Sequence, residues 1–62
     1  MEIRDRVLVV EDDKRIGNFF RTVLEANHYD VIMAQTGAEA YSMVTSQCPD
    51  VVLLDLGLPD MD

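Results

Sequence analysis

Residues 7–13 read VLVVEDD, and residues 51–55 read VVLLD. Each stretch begins with four apolar residues that do not alternate with polar ones, which is typical of a strand buried on both faces of a parallel sheet. Each run ends in carboxylates, so two parallel neighbouring strands bring Glu11, Asp12 and Asp55 to one edge of the sheet, where open α/β sheets bind ligands. Crowded carboxylates repel one another, and a hard divalent cation with oxygen ligands relieves that repulsion.

The segment after the first strand has a helical pattern. From about Lys14 to Asn27, apolar residues recur at i, i+3, i+4, i+7 and i+8. These residues are expected to face the core: Ile16, Phe19, Phe20, Val23 and Leu24. Asp12 or Asp13 is expected to cap the helix N-terminus, and Asp13 fits a cap better than a metal ligand. Asn27 and His28 close the helix.

The rest of the chain repeats the alternation of strand and helix. Residues 29–34 form a second strand, and Thr36 with Glu39 forms a capping box at the head of a second helix running to about Ser46. That helix should turn Ala40, Met43 and Val44 inward, and the core should also include Phe19, Phe20 and Met33. A turn at residues 48–50 leads into the third strand, 51–54. The predicted order is β-α-β-α-β, with connections long enough for parallel crossovers.

Composition narrows the function classes. The chain has 62 residues, enough for one small domain, and a net charge of −7, which argues against direct contact with nucleic acid. It has one cysteine, Cys48, which fits a reducing compartment. No apolar run reaches ~18 residues and no leader with a cleavage site is present, so we expect a cytoplasmic location and no membrane insertion.

The two acidic motifs together resemble the receiver domain of two-component response regulators. The VVEDD stretch follows the first strand and LLDLGLPDMD follows the third, and the 43 residues from Asp12 to Asp55 fit two helices and a strand between them. The phrase LDLGLPD is most similar to the winged-helix DNA-binding subclass, which includes regulators of potassium uptake. The resemblance implies an α/β, flavodoxin-like (CheY-like) fold with a parallel three-stranded sheet in the order 2-1-3.

The resemblance also implies a role for each acidic residue. Asp55 corresponds to the phosphoacceptor, a carboxylate nucleophile that takes a phosphoryl group from a sensor histidine kinase. Asp12 corresponds to a direct Mg²⁺ ligand, and Glu11 to its neighbour, which acts through water. The backbone carbonyl of Gly57 matches a further ligand, and with Asp55 these groups suit the octahedral preference of Mg²⁺.

Residues 1–62 are therefore expected to be the N-terminal half of a receiver domain. The family's hydroxyl residue after the fourth strand and its lysine after the fifth have no counterpart in this sequence. For the longer protein, the resemblance implies that phosphorylation of Asp55 regulates a downstream, DNA-binding transcriptional output. The segment itself is expected to be a signalling module and not an enzyme.

Three other interpretations stay open. The acidic residues could be helix caps on a generic α/β unit, which leaves Asp55 unexplained. The chain could be a silent species that self-associates through the exposed apolar edge of its third strand, giving a homo-oligomer with an interface of obligate size. More remotely, it could be a Mg²⁺-dependent phosphatase with an aspartate nucleophile, although such enzymes usually carry a second acid where this chain has Gly57.

Overall fold

The computed structural model describes residues 4–54, which form three strands and two helices. The elements follow the order that the sequence predicts. They are listed here with their bounds: β1 (Arg6–Val10), α1 (Lys14–Ala26), β2 (Asp30–Ala34), α2 (Gly37–Gln47) and β3 (Val51–Leu54). None of the helices in this part of the chain is long and apolar enough to cross a membrane.

The three strands form one parallel sheet in the order β2-β1-β3. In the central strand, Val10 pairs with Ala34 on one side and with Leu54 on the other. All three strands therefore end at the same edge of the sheet. This confirms the predicted fold class, the parallel sheet and the order 2-1-3.

The main buried cluster lies between the sheet and α2, while Val7 and Val9 are buried on the other face of β1. In the main cluster, Leu8 and Val10 of β1 pack with Ala34 of β2 and Ala40 of α2. Ile32 and Met43 are half-buried against this cluster. Since side chains alternate across a strand, neighbouring positions of β1 and β2 point to the opposite face, where α1 lies. The inward positions of Ala40 and Met43 are confirmed, whereas Val44 is exposed and was wrongly predicted to face the core.

The predicted end residues of α1 cap the helix at both termini. Asp13 is the N-cap of α1, and its carboxylate accepts a hydrogen bond from the backbone N–H of Arg15 at 2.9 Å. At the other end, His28 adopts the left-handed conformation with φ of 68°, while the N–H of Tyr29 donates to the carbonyl of Leu24. This is the Schellman arrangement, which satisfies free carbonyls at a helix C-terminus. His28 is thus a helix-end residue, as predicted.

Thr36 and Glu39 cap the N-terminus of α2 as predicted, except that the Glu39 carboxylate bonds to Gln35 and not to Thr36. Thr36 Oγ1 accepts from the backbone N–H of Glu39 at 3.1 Å, and Glu39 Oε1 accepts from the N–H of Gln35 at 3.3 Å, one residue before the cap. Cys48 ends the helix in the left-handed conformation, with φ of 50°, and Pro49 follows. A proline at that point favours a chain reversal over another helical turn. The predicted turn between α2 and β3 is confirmed.

Arg6 forms hydrogen bonds with three other segments at the edge of the sheet opposite the acidic residues. Its guanidinium donates to Asp30 at 2.8 Å and to the carbonyl of Gln47 at 2.9 Å. Its backbone N–H donates to the Asp50 carboxylate, while the N–H of Asp50 donates back to the Arg6 carbonyl, both at 2.7 Å. One residue therefore connects β1 with β2, with the end of α2 and with the turn before β3.

The apolar face of α1 is the main departure from the predicted core. Only Gly17 of this helix is buried, and Phe19 is 64% exposed. The predictions that Phe19 and Phe20 belong to the core are wrong for the described structure, as are those for Ile16 and Val23, which are exposed too. The sheet covers only part of the apolar face of α1. Within the described residues, α1 contacts β1 and β2 but not β3.

Candidate functional site

Glu11 and Asp12 lie immediately after β1, at the edge where the three strands end. The N–H of Glu11 donates to the carbonyl of Ala34 at 3.0 Å, which carries the parallel pairing one residue past β1. The structure therefore places both predicted acidic residues at the carboxyl edge of the central strand. This is the position at which open α/β sheets hold ligands.

The two carboxylates differ in their surroundings. Glu11 is 7% exposed, and its Oε1 accepts a hydrogen bond from the backbone N–H of Asp13 at 3.1 Å. Asp12 is exposed, and its side chain makes no hydrogen bond or ion pair with residues 4–54. One carboxylate is held in place by the fold, and the other is available for an external ligand.

Two of the four predicted ligands lie outside the described residues. Asp55 and Gly57 follow Leu54, the last described residue of β3. Within residues 4–54, no three carboxylate, histidine or cysteine side chains come together to hold a metal ion. The predicted set of Glu11, Asp12, Asp55 and Gly57 stays a prediction, because two of its members lie beyond Leu54.

Glu11 also lines an open apolar groove of about 490 Å³ between α1 and β3. The groove walls come from the ends of β1 and β3 and from one side of α1, with Phe20 and Leu53 on opposite sides. Sequence reasoning did not predict this groove, because the apolar periodicity of α1 does not say which part of the helix its sheet covers.

Comparison with known proteins agrees with this architecture. The family described as response regulator receiver domain matches residues 7–62, which is nearly the whole chain. This chain belongs to the response regulator receiver family. Receiver domains take a phosphoryl group from sensor histidine kinases, generally with Mg²⁺, and they are signalling modules and not typical enzymes.

Individual receiver proteins match the chain over most of its length. The transcriptional regulatory protein KdpE of Mycobacterium tuberculosis H37Rv is 49% identical over 55 residues, covering 89% of the chain. The response regulator MprA of Mycolicibacterium vanbaalenii is 42% identical over 57 residues, covering 92%. KdpE of Staphylococcus aureus is 37% identical over 60 residues, covering 97%. The chain spans about a quarter of the length of these relatives.

The capping role of Asp13 lowers the pKa of its carboxyl group. The hydrogen bond from the backbone N–H of Arg15 is the main cause that lowers the pKa of the Asp13 carboxyl, and the Arg15 guanidinium adds a smaller attraction. The folded state therefore binds this proton more weakly than the unfolded state. The resulting stabilisation is complete above the unfolded pKa, about 3.9 for Asp, and is lost as pH falls below that value through the folded pKa.

We expect the Asp13→Asn variant to lose less stability on acidification than the parent. Asparagine keeps a capping oxygen and does not titrate. Urea unfolding between about pH 6 and pH 3 measures the difference, and carbon NMR of the Asp13 carboxyl reads its titration directly. A carboxyl that titrates at or above about 3.9 would contradict the assigned role of the Arg15 N–H.

Proposed function

We propose that this chain is the phosphoacceptor part of a response regulator, with residues 1–62 forming the first half of its receiver domain. Asp55 accepts a phosphoryl group from a sensor histidine kinase. The observation that carries the proposal is the pairing of Val10 with Leu54. Glu11 and Asp55 are the next residues after these two partners, so a nucleophile and an acidic ligand pair follow neighbouring parallel strands.

The ligand set proposed for Mg²⁺ consists of Glu11, Asp12, Asp55 and the backbone carbonyl of Gly57. Its chemistry suits the ion, because Mg²⁺ prefers oxygen ligands and is bound with a few carboxylates, waters and phosphate oxygens. The described part fits this group, since the exposed carboxylate of Asp12 has no partner among residues 4–54. When bound, Mg²⁺ neutralises negative charge on the phosphoryl oxygens.

The bonds that form and break in the transfer belong to the Asp55 carboxylate and the phosphodonor. An oxygen of Asp55 forms a bond to phosphorus while the bond from phosphorus to the donor histidine nitrogen breaks, and the electron pair stays on that nitrogen. The product is an acyl phosphate on Asp55. A carboxylate is ionised at pH 7, so no general base is required to prepare this nucleophile.

For the longer protein we propose a transcriptional output in the cytoplasm, controlled by phosphorylation. The support is that two of the relatives above are called transcriptional regulatory proteins. Phosphorylation in such a module acts by biasing a two-state surface that another domain binds. In this proposal the segment itself does not contact nucleic acid, which agrees with its net charge of −7.

Titration of the chain with Mg²⁺, followed by amide NMR, tests the cation part of this proposal. We expect saturable shifts of the Glu11, Asp12 and Asp13 amides, and an affinity at least about tenfold weaker in Asp12→Asn because a direct ligand is lost. Asp5→Asn is a control at the other edge of the sheet and should bind as the parent does. A parent chain that is folded but shows no saturable response overturns the proposed metal site.

Self-association is a second candidate property, and the exposure of β3 favours it. All four residues of β3 are between 38% and 48% exposed, and β3 contacts no element within residues 4–54 other than β1. The strand is apolar and carries none of the charges that protect natural sheet edges. A second copy pairing along this edge extends the sheet and covers the apolar side chains of both copies.

We expect the chain to sediment as a dimer or larger species at micromolar concentration and Val52→Lys to shift it toward the monomer. A lysine on the edge strand opposes pairing. Val44→Lys is the matched control, because Val44 on α2 is 43% exposed and Val52 is 44% exposed. A parent that sediments as a folded monomer, or two lysine variants that behave alike, would contradict association through β3.

A further inference from the structure

Gly17 lies at a close approach of α1 to the sheet. It is the buried residue of this helix, and a Cβ built on it lies 2.7 Å from Met33 Cε of β2. The same Cβ lies 3.8 Å from Glu11 Cβ and 3.9 Å from Glu11 Cγ. Glycine is the weakest helix former after proline, so its place in the second turn of α1 points to a packing requirement.

Glu11 is held on several sides at this point. Its backbone N–H is bonded to Ala34, its Oε1 accepts from the N–H of Asp13, and its stem lies against Gly17. Glutamate is rarely buried in proteins, yet this one is 7% exposed. The direction of its carboxylate therefore depends on how closely α1 lies over the end of β1.

We propose that Gly17 is a positioning residue for the cation site, acting through Glu11. The inference rests on the function proposed above, because it concerns the Mg²⁺ ligand set. The absence of a side chain at position 17 leaves space that the Met33 methyl and the Glu11 stem share. A larger side chain must first displace the Met33 methyl, which is the end of a flexible chain. Once that space is filled, it moves the Glu11 stem or lifts the start of α1.

Displacement of Glu11 matters because Mg²⁺ demands near-ideal octahedral geometry. Groups that orient metal ligands typically change metal affinity by about 10–100-fold when they are mutated. Position 17 is thus expected to control cation affinity without contacting the cation. Met33 is expected to control how much bulk position 17 tolerates.

The test compares Gly17→Leu, Met33→Ala and the double variant, with Mg²⁺ affinity read from the amide shifts of residues 11–13. Leucine is a strong helix former, so the substitution does not weaken α1 through helix propensity. We expect Gly17→Leu to weaken Mg²⁺ binding about tenfold or more. Met33→Ala alone should change it less than about twofold, and the double variant should return to within about threefold of the parent. Asn18→Leu is the matched control, because it adds the same side chain at an exposed neighbouring position.

Urea unfolding of each variant separates a positioning role from a purely structural one. A structural role lowers the free energy of unfolding and leaves the Mg²⁺ affinity of the folded chain unchanged, which overturns the proposal. A double variant as weak as Gly17→Leu overturns the shared space with Met33. If Gly17→Leu does not fold, Gly17→Val replaces it, because its branched side chain still exceeds the space that the Met33 methyl vacates. An Asp13 amide signal and Mg²⁺ affinity of Gly17→Val equal to those of the parent then overturn the proposal. A parent that binds no Mg²⁺ overturns the metal site proposed above, whereas a parent that binds but does not respond at position 17 overturns only this inference.

Discussion

Replacement of Leu8 by alanine is expected to lower the free energy of unfolding by about 3 kcal/mol. Leu8 is at the centre of the middle strand, is 0% exposed and packs in the cluster with Val10, Ala34 and Ala40. Truncation removes apolar contacts and leaves a cavity that a parallel strand paired on both sides cannot close. Domains of this size are rarely stable by more than about 3–5 kcal/mol, so most of the stability should be lost.

Leu53→Ala is the matched control for this prediction. The chemical change is the same, but Leu53 is on β3 and 38% exposed. The expected loss is about 1 kcal/mol, because a half-exposed side chain buries less apolar area on folding. Urea unfolding followed by circular dichroism measures both variants. Equal losses would contradict the placement of the core between the sheet and α2.

Asp55→Asn is expected to abolish phosphorylation of the chain by a small phosphodonor. The neutral amide of asparagine is a far weaker nucleophile than a carboxylate and cannot form the acyl phosphate. The loss should be complete and not partial, because the substitution removes the group to which phosphorus bonds. Hydroxylamine, which cleaves acyl phosphates, should release the phosphoryl group from the parent and find none to release in the variant.

Asp60→Asn is the control for position, because Asp60 follows Asp55 by five residues in the same acidic stretch. We expect it to be phosphorylated as the parent is. Folding of each variant is checked by circular dichroism before labelling. A phosphoryl group that persists in Asp55→Asn, or one that disappears in Asp60→Asn, would place the acceptor elsewhere.

The strands, the helices and their ends could be predicted because local sequence determines them. The unalternating apolar runs predict parallel strands, and the runs 7–10 and 51–54 lie within β1 and β3. The predicted burial on both faces is confirmed for β1 but is wrong for β3, whose four residues are 38–48% exposed. Thr36 and Asp13 cap the helices with side chains whose chemistry serves few other purposes. The second strand begins at Asp30 and not at Tyr29, because Tyr29 still donates to α1 through its backbone N–H.

The sequence could not predict which residues of α1 are buried. An apolar face shows that a helix can pack against a neighbouring element, but not which part of the face that element covers. The periodicity correctly groups Ile16, Phe20 and Val23 on one side of the helix. It does not reveal that the sheet covers only the part around Gly17, since α1 packs over β1 and β2 and leaves β3 uncovered. Gly17 itself was overlooked, although an interior glycine in a helical pattern is a signal of close packing.

The sequence predicted where the candidate site lies, but not the surroundings of its individual carboxylates. The order of strands and acidic residues correctly places Glu11 and Asp12 at the carboxyl edge of β1. It does not distinguish the buried, hydrogen-bonded carboxylate of Glu11 from the exposed one of Asp12. Part of that difference is tertiary, because the Glu11 stem lies near Gly17 of α1. The roles of Asp55 and Gly57 stay predictions, because both lie outside the described residues.

The most direct test of the phosphoacceptor proposal is the intact mass of the chain after incubation with a small phosphodonor, with and without Mg²⁺. We predict a single phosphoryl adduct that forms only when Mg²⁺ is present, because the cation offsets the repulsion between the phosphoryl oxygens and the carboxylates of the proposed site. A chain that is folded and gains no adduct in the presence of Mg²⁺ would contradict the proposal that these residues form a working acceptor site.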